Sequence, residues 1–176
     1  MEELSEINNS EQGNYFTLFG IPKTLRIEEG ELRRNYLRLS RQFHPDMQNN
    51  GDPMAQALAL KMSAEVAKGY FILNDTLKRG LYFLSLHHQP LKAQDLPADF
   101  LMEMMELNET LEELETAPNY LEQRNALLSS PIENMLTQFQ ALADEWEQHP
   151  DWEKLKSILT RLQYLQRMKD RDFEES

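Results

Sequence analysis

Cysteine is absent from the 176 residues, which excludes disulfides, thiolate metal sites and a thiol nucleophile. Basic residues are scarce: 18 Lys and Arg against 30 Asp and Glu leave a formal net charge of −12. A surface of that sign argues against nucleic acid or an anionic membrane as the main partner. No apolar run approaches the ~20 residues of a membrane span, and the polar N-terminus has no signal-peptide core. A cytoplasmic protein is therefore expected. Histidine occurs only as His44, His87, His88 and His149. His87 and His88 are adjacent, so they do not share a helix face, and no carboxylate completes a ligand set. No metal site and no cofactor are expected. Internal repeats and low-complexity segments are also missing.

What is present reads as helix throughout. Hydrophobic residues make up 40% of the chain, enough for a packed core in one domain or two small ones. Residues 1–13 are acidic and polar and read as a frayed tail. Asn14-Tyr15-Phe16-Thr17-Leu18-Phe19-Gly20 is a short apolar turn of helix with a C-terminal glycine, and Pro22 prevents its continuation. From about Ile27 to Phe43, Leu32, Tyr36, Leu39 and Phe43 fall within roughly a 60° arc at 100° per residue. Asp52-Pro53 has the form of an N-cap and first helical residue. The helix after it carries Met62, Val66, Gly69, Tyr70 and Leu73 on one stripe and is expected to pack antiparallel to the helix before it. Gly69 weakens that helix by roughly 1 kcal/mol relative to alanine unless close approach compensates. A closing helix covers Leu77 to His88, with Leu77, Leu81, Phe83 and Leu84 apolar.

Between the two long helices stands Phe43-His44-Pro45-Asp46. Pro45 lacks an N–H and pushes His44 out of the α region, so the helix must stop there. A stiff corner results, displaying an imidazole and a carboxylate. Arg33, Arg34, Arg38 and Arg41 occupy an arc of roughly 140° opposite the apolar stripe. Four arginines alone describe an ordinary solvated face. Running directly into the corner, they also describe a docking face.

Gln89-Pro90 and Leu96-Pro97 bracket a stretch without helical periodicity and mark a boundary. Beyond it, residues 93–123 contain no lysine or arginine but nine acidic residues. The helix expected over Ala98–Ala117 has two apolar faces. Phe100, Met104, Leu107, Leu111 and Leu114 form a core stripe within roughly 80°. Leu101, Met102 and Met105 lie on the far side, interleaved with Glu109, Glu112 and Glu113. Cover on two sides within a bundle would account for the second stripe. So would a partner with a basic-rimmed apolar surface. Pro118 closes this helix, another begins near Asn119, and Ser130-Pro131-Ile132-Glu133 has the form of a capping box that predicts a break or kink near Ser129. Met135, Phe139, Leu142 and Trp146 continue an apolar stripe. Pro150-Asp151 opens the last helix, with Leu155, Ile158, Leu162 and Leu165 core-like and Tyr164 off their stripe, as either a packing or a binding aromatic. Residues 171–176 read as frayed.

Taken together, these features resemble the HscB family of J-domain co-chaperones in iron–sulfur cluster assembly. The resemblance is carried by Asn14 to Pro22, by Arg41-Gln42-Phe43-His44-Pro45-Asp46, by Tyr82-Phe83-Leu84-Ser85-Leu86-His87, and by Phe100-Leu101-Met102-Glu103 followed by Glu106-Leu107. The tripeptide alone would indicate only a J domain; the last block lies outside it and is more specific. A Gly/Phe-rich segment and cysteine zinc repeats, which mark general DnaJ proteins, are missing. So is the N-terminal cysteine metal site of some homologues. Further departures are Met47 in place of the family's usual lysine, Met105 in place of leucine and Tyr164 in place of phenylalanine. Val66-Ala67-Lys68-Gly69 stands where relatives show Ile-Asn-x-Ala.

The resemblance implies an all-α protein: a J domain over 14–88, a linker over 89–97, and a C-terminal three-helix bundle over 98–176. It implies a co-chaperone that stimulates the ATPase of a DnaK-type chaperone (HscA) and delivers the cluster scaffold IscU to it. His44, Pro45 and Asp46 would form the activating loop, and Arg33, Arg34, Arg38 and Arg41 the docking charges. Leu101, Met102, Met105, Glu106, Glu109, Glu113 and Tyr164 would hold the scaffold. A J-domain adaptor for a different client is the alternative. An enzyme using His44 and Asp46 as an acid–base pair fits poorly, because a convex hairpin tip does not exclude water and no nucleophile or phosphate-binding loop accompanies the pair.

Overall fold

The computed structural model describes residues 13–44, 53–91 and 98–170. Seven helices account for its regular structure: α1 (Tyr15–Phe19), α2 (Glu29–Gln42), α3 (Pro53–Asn74), α4 (Thr76–Leu86), α5 (Ala98–Leu114), α6 (Tyr120–Glu145) and α7 (Trp152–Asp170). The chain divides into two compact units, Met1–His87 and His88–Ser176. The tail before residue 13, the segments 45–52 and 92–97, and the end after 170 lie outside the described residues.

A five-residue helix cannot persist on propensity, and α1 is held at both ends. Asn14 Oδ1 accepts from the Thr17 N–H at 2.9 Å. Gly20, at φ +66°, donates its N–H to the Thr17 carbonyl, and the Ile21 N–H reaches the Phe16 carbonyl at 3.0 Å. Those two bonds form a Schellman motif, which requires the left-handed conformation that glycine adopts without cost. The Tyr15 N–H, an orphan donor of the first turn, is taken up by Tyr82 Oη of α4 at 2.9 Å. Tyr15, Phe16 and Phe19 are buried, together with Leu25, Leu32, Leu73 and Leu84.

α2 and α3 pack against each other, with Tyr36 and Tyr70 stacked at 4.2 Å. α2 begins two residues later than the periodicity indicated, because the Glu28 carboxylate caps it by accepting the Glu31 N–H at 2.6 Å. Gly69 is the point where α1 crosses α3. A Cβ there would stand 2.6 Å from Tyr15 Cδ1 and 2.9 Å from Phe19 Cε2, so glycine is required by contact and not by φ. A single residue, Asp75, separates α3 from α4 and caps the latter through the Lys78 N–H at 2.8 Å. Arg79 then draws the unit together. Its Nε donates to the Leu25 carbonyl at 3.0 Å and its Nη1 to the Leu73 carbonyl at 2.7 Å. Burial lowers the affinity of this guanidinium for its proton, an effect opposed by Asp75 and Glu29.

In the second unit α6 and α7 pack along most of their length. Leu128, Met135, Phe139 and Leu142 meet Leu155, Ile158, Leu159, Leu162 and Leu165 in a buried core. Arg124 of α6 is buried and donates to the carbonyls of Met168 and Lys169 in the last turn of α7. The Asp151 carboxylate caps α7 through the Lys154 N–H at 2.9 Å. α5 lies on this pair through Phe100, Met104 and Leu111. It ends at Leu114, short of Ala117. No separate helix starts at Ser130: α6 runs unbroken from Tyr120 to Glu145 with Pro131 inside it. Proline removes one i→i−4 bond, and the Leu128–Met135–Phe139 stripe, continuous across it, outweighs that loss.

Two predictions follow from the packing of the first unit. Gly69→Ala gains roughly 1 kcal/mol of helix propensity but overpacks two buried rings at a cost of about 1–3 kcal/mol. We expect a lower melting temperature by circular dichroism while fluorescence of Trp146 and Trp152, both in the second unit, is unchanged. The second concerns pH. Burial raises the pKa of Tyr15 and of Tyr82; Glu65, which accepts the Tyr15 hydroxyl at 3.2 Å, adds to the first, and the bond from the Tyr15 N–H opposes the second. The folded pKa values therefore lie above the unfolded value of about 10, so this stability is complete below pH ~10 and lost as pH rises toward the folded values. Urea midpoints of the first unit should fall above pH ~10, and Tyr15→Phe should flatten the fall.

Candidate interaction surfaces

α2 turns its apolar stripe inward and its cations outward. Leu32 and Leu39 are buried, Tyr36 and Phe43 are half-buried, and Arg33, Arg34, Arg38 and Arg41 are all exposed. Arg34 forms a surface ion pair with Glu28 at 3.3 Å, which at such exposure restrains it little. The helix ends at Gln42. The Phe43 N–H bonds the Leu39 carbonyl at 2.9 Å and the His44 N–H bonds the Arg41 carbonyl at 3.3 Å. His44 is exposed just beyond this last turn, beside Arg41. Pro45 and Asp46 lie outside the described residues.

α5 carries the second surface. Phe100 and Met104 are buried, whereas Leu101, Met102 and Met105 are 44%, 65% and 64% exposed. Glu106, Glu109 and Glu113 are exposed around them, as are Glu103 and Glu112. The bundle therefore covers one stripe of α5 and leaves the other bare. Tyr164 of α7 is half-buried at the border. Its ring meets Phe100 edge-on at 5.8 Å, and its hydroxyl lies 3.5 Å from Asn108 Nδ2, which also donates to the Met104 carbonyl at 2.8 Å. Since Asn108 follows Leu101 by seven residues, Tyr164 borders the Leu101 side of the bare stripe. It serves as packing, and its remaining exposure adjoins the candidate face.

Two residues that orient α5 were not singled out from sequence. Arg161 of α7 reaches Asp99 in the first turn of α5 at 3.5 Å and lies over the Phe100 ring, 5.0 Å from its centroid. A faint signal existed: a segment of nine acidic residues without a cation must draw its counter-charge from elsewhere, and Arg161 is half-buried on α7. Among the described residues no group of three or more His, Asp or Glu side chains comes together as a metal site, and no helix is long and apolar enough to cross a membrane.

Comparison with known proteins yields two family models. One, described as the DnaJ domain, matches residues 14–82; the other, described as the HSCB C-terminal oligomerisation domain, matches residues 96–171. Among solved structures, the chaperone HscB from Vibrio cholerae is 25% identical with a TM-score of 0.72, over 93% of this chain and 97% of that one. The crystal structure of the human co-chaperone protein HscB is also 25% identical, with a TM-score of 0.79 over 94% of this chain and 83% of that one.

The bare and covered stripes of α5 should separate in a stability measurement. Met104→Ala removes a buried side chain and should cost about 2–4 kcal/mol in urea unfolding followed by tryptophan fluorescence. Met102→Ala should stay within about 0.5 kcal/mol of the parent.

Proposed function

This chain belongs to the HscB family of J-domain co-chaperones, and on that premise we propose that it connects two specific partners. Through residues 14–88 it stimulates ATP hydrolysis by a DnaK-type chaperone, HscA. Through residues 98–176 it holds the iron–sulfur cluster scaffold IscU and presents it to that chaperone, in the cytoplasm. The observation that carries this reading is the bare stripe of α5. Three large apolar side chains remain exposed on a helix whose other stripe is buried, and carboxylates fringe them. Apolar surface of this kind marks a site of association.

The mechanism has two arms. On the first, the α2 arginines are drawn to an acidic groove on the chaperone and supply on-rate and register. Asp46, which follows that cationic helix in sequence, makes a charge-assisted hydrogen bond to a cationic group of the chaperone. Bond-breaking takes place on the chaperone. This chain acts by binding one chaperone conformation better than the other, and it can shift that equilibrium only by the difference in affinity. On the second arm, Leu101, Met102 and Met105 bury their apolar surface against the scaffold, with Tyr164 at the edge. Glu106, Glu109 and Glu113 select a basic rim. Methionine suits such a face because its unbranched thioether adapts to an uneven partner surface.

Chaperone ATPase turnover with and without scaffold tests both arms. Asp46→Asn should return turnover to the chaperone's basal rate while leaving the melting temperature intact; stimulation at the parent rate would refute the docking mechanism. Met102→Ala combined with Met105→Ala should weaken scaffold binding at least about tenfold and leave scaffold-free stimulation unchanged. Stimulation that persists while no scaffold binds would instead favour an adaptor for another client.

A further inference from the structure

The described methionines differ in exposure. Met104, Met135 and Met168 are buried in the second unit and Met62 of α3 is half-buried, whereas Met102 and Met105 are 65% and 64% exposed on α5 and Met54 is 82% exposed on α3. The exposed pair on α5 supplies two of the three large apolar side chains of the bare stripe. Among the described residues both side chains are largely open to solvent, and the carboxylates beside them are themselves exposed. A methionine thioether is the one group in such a stripe that changes polarity by a mild chemical step. Leucine at position 105, the residue the family resemblance implies there, could not respond.

We propose that Met102 and Met105 form an oxidation-sensitive switch on this surface, in which sulfoxide formation releases the scaffold while leaving the J-domain arm active. The inference rests on the scaffold reading of α5. A peroxide delivers one oxygen atom to Sδ: the O–O bond breaks, an S–O bond forms, sulfur loses two electrons, and hydrogen peroxide leaves as water. A methionine sulfoxide reductase with a dithiol reductant reverses the step, giving the thioether, water and a disulfide on the reductase system. The product is a strong hydrogen-bond acceptor where the partner expects an apolar surface. Burying it unpaired lowers affinity by about tenfold per site. The fold tolerates the change, because both sulfurs face outward and the buried stripe of Phe100, Met104 and Leu111 is untouched.

The experiment treats full-length protein with hydrogen peroxide at graded doses. Sulfoxides are mapped by peptide mass spectrometry, and IscU binding is measured by calorimetry before and after, for the parent and for Met102→Leu combined with Met105→Leu. The parent should gain sulfoxide at Met54, Met102 and Met105 before Met104, Met135 or Met168. Its affinity should fall at least about tenfold and recover with the reductase. In the leucine pair the ratio of affinities after and before peroxide should stay near one, whatever its starting value. A parallel Met54→Leu variant should remain as sensitive as the parent. Bound scaffold should slow oxidation of Met102 and Met105 severalfold but not that of Met54. Equal affinity before and after oxidation of Met102 and Met105 overturns the switch alone. So does an equal loss of affinity in the leucine pair. Absence of binding by the untreated parent overturns the scaffold reading and the switch with it.

Discussion

A helix laid on a two-helix layer buries one stripe, and α5 has two. That constraint governs the second unit. Phe100, Met104 and Leu111 are taken by α6 and α7, so Leu101, Met102 and Met105 stay in solvent. The surrounding charge makes α5 worse as an isolated helix. Glu109 and Glu113 are like charges at i,i+4, and Glu112 and Glu113 sit in the last turn, where the helix dipole disfavours anions; no basic residue occupies that turn. What holds α5 is its inner stripe together with Arg161, which bridges Asp99 and the Phe100 ring. A helix selected for stability alone would carry lysines on that outer face. Stability forgone at a surface is a common mark of binding.

Among the described residues, each unit also has one buried arginine that braces the fold, which frees the exposed cations for other uses. Arg79 binds the Leu73 carbonyl near the end of α3 and the Leu25 carbonyl of the loop between α1 and α2. Arg124 binds the Met168 and Lys169 carbonyls at the end of α7. Both take up carbonyls left unsatisfied in a final helical turn, Leu73 in one case and Met168 and Lys169 in the other. Arginine suits the task better than lysine because its planar fork reaches two carbonyls at once and stays charged when buried. In the first unit this cross-brace, with the α1 aromatics seated over Gly69, fixes the inward side of α2 and α3. The α2 arginines are then presented from a firm base.

Much of this was readable from sequence because it depends on period and on punctuation. Gly20 and Asp151 stop or start helices by their own chemistry, and the two stripes of α5 follow from residue spacing alone. The misreadings have a common cause: local grammar meeting tertiary packing. Ser130-Pro131-Ile132-Glu133 spells a helix start, yet apolar residues on both sides of it pack into one continuous core, and α6 continues without a break. Gly69 looked like a weakness in α3 because its partners, Tyr15 and Phe19, lie some fifty residues earlier. Arg79 and Arg124 were invisible as core residues, since no spacing rule distinguishes an arginine that will bind carbonyls from one that will face water. For the candidate surfaces, the structure brings Tyr164 to the edge of the α5 stripe, a proximity that a separation of 56 residues from Asn108 conceals. The tip residues Pro45 and Asp46 rest on sequence alone.

The net charge of −12 is not shared between the units. Ten basic and eleven acidic side chains leave the first unit at −1, whereas eight against nineteen leave the second at −11. An arginine face on a uniformly acidic body would sit in a field of the wrong sign. On a nearly neutral unit, its own potential reaches a partner over about a Debye length, ~8 Å at physiological salt. The acidic surplus meanwhile belongs to the unit that carries the glutamate-fringed stripe, where it favours a basic partner and repels an acidic one. Under the proposed function, the same partition keeps the two partners from competing: one suited to the first unit's arginine face carries the wrong charge for the second unit. The sequence total conceals this, because a single number averages over two surfaces of different character.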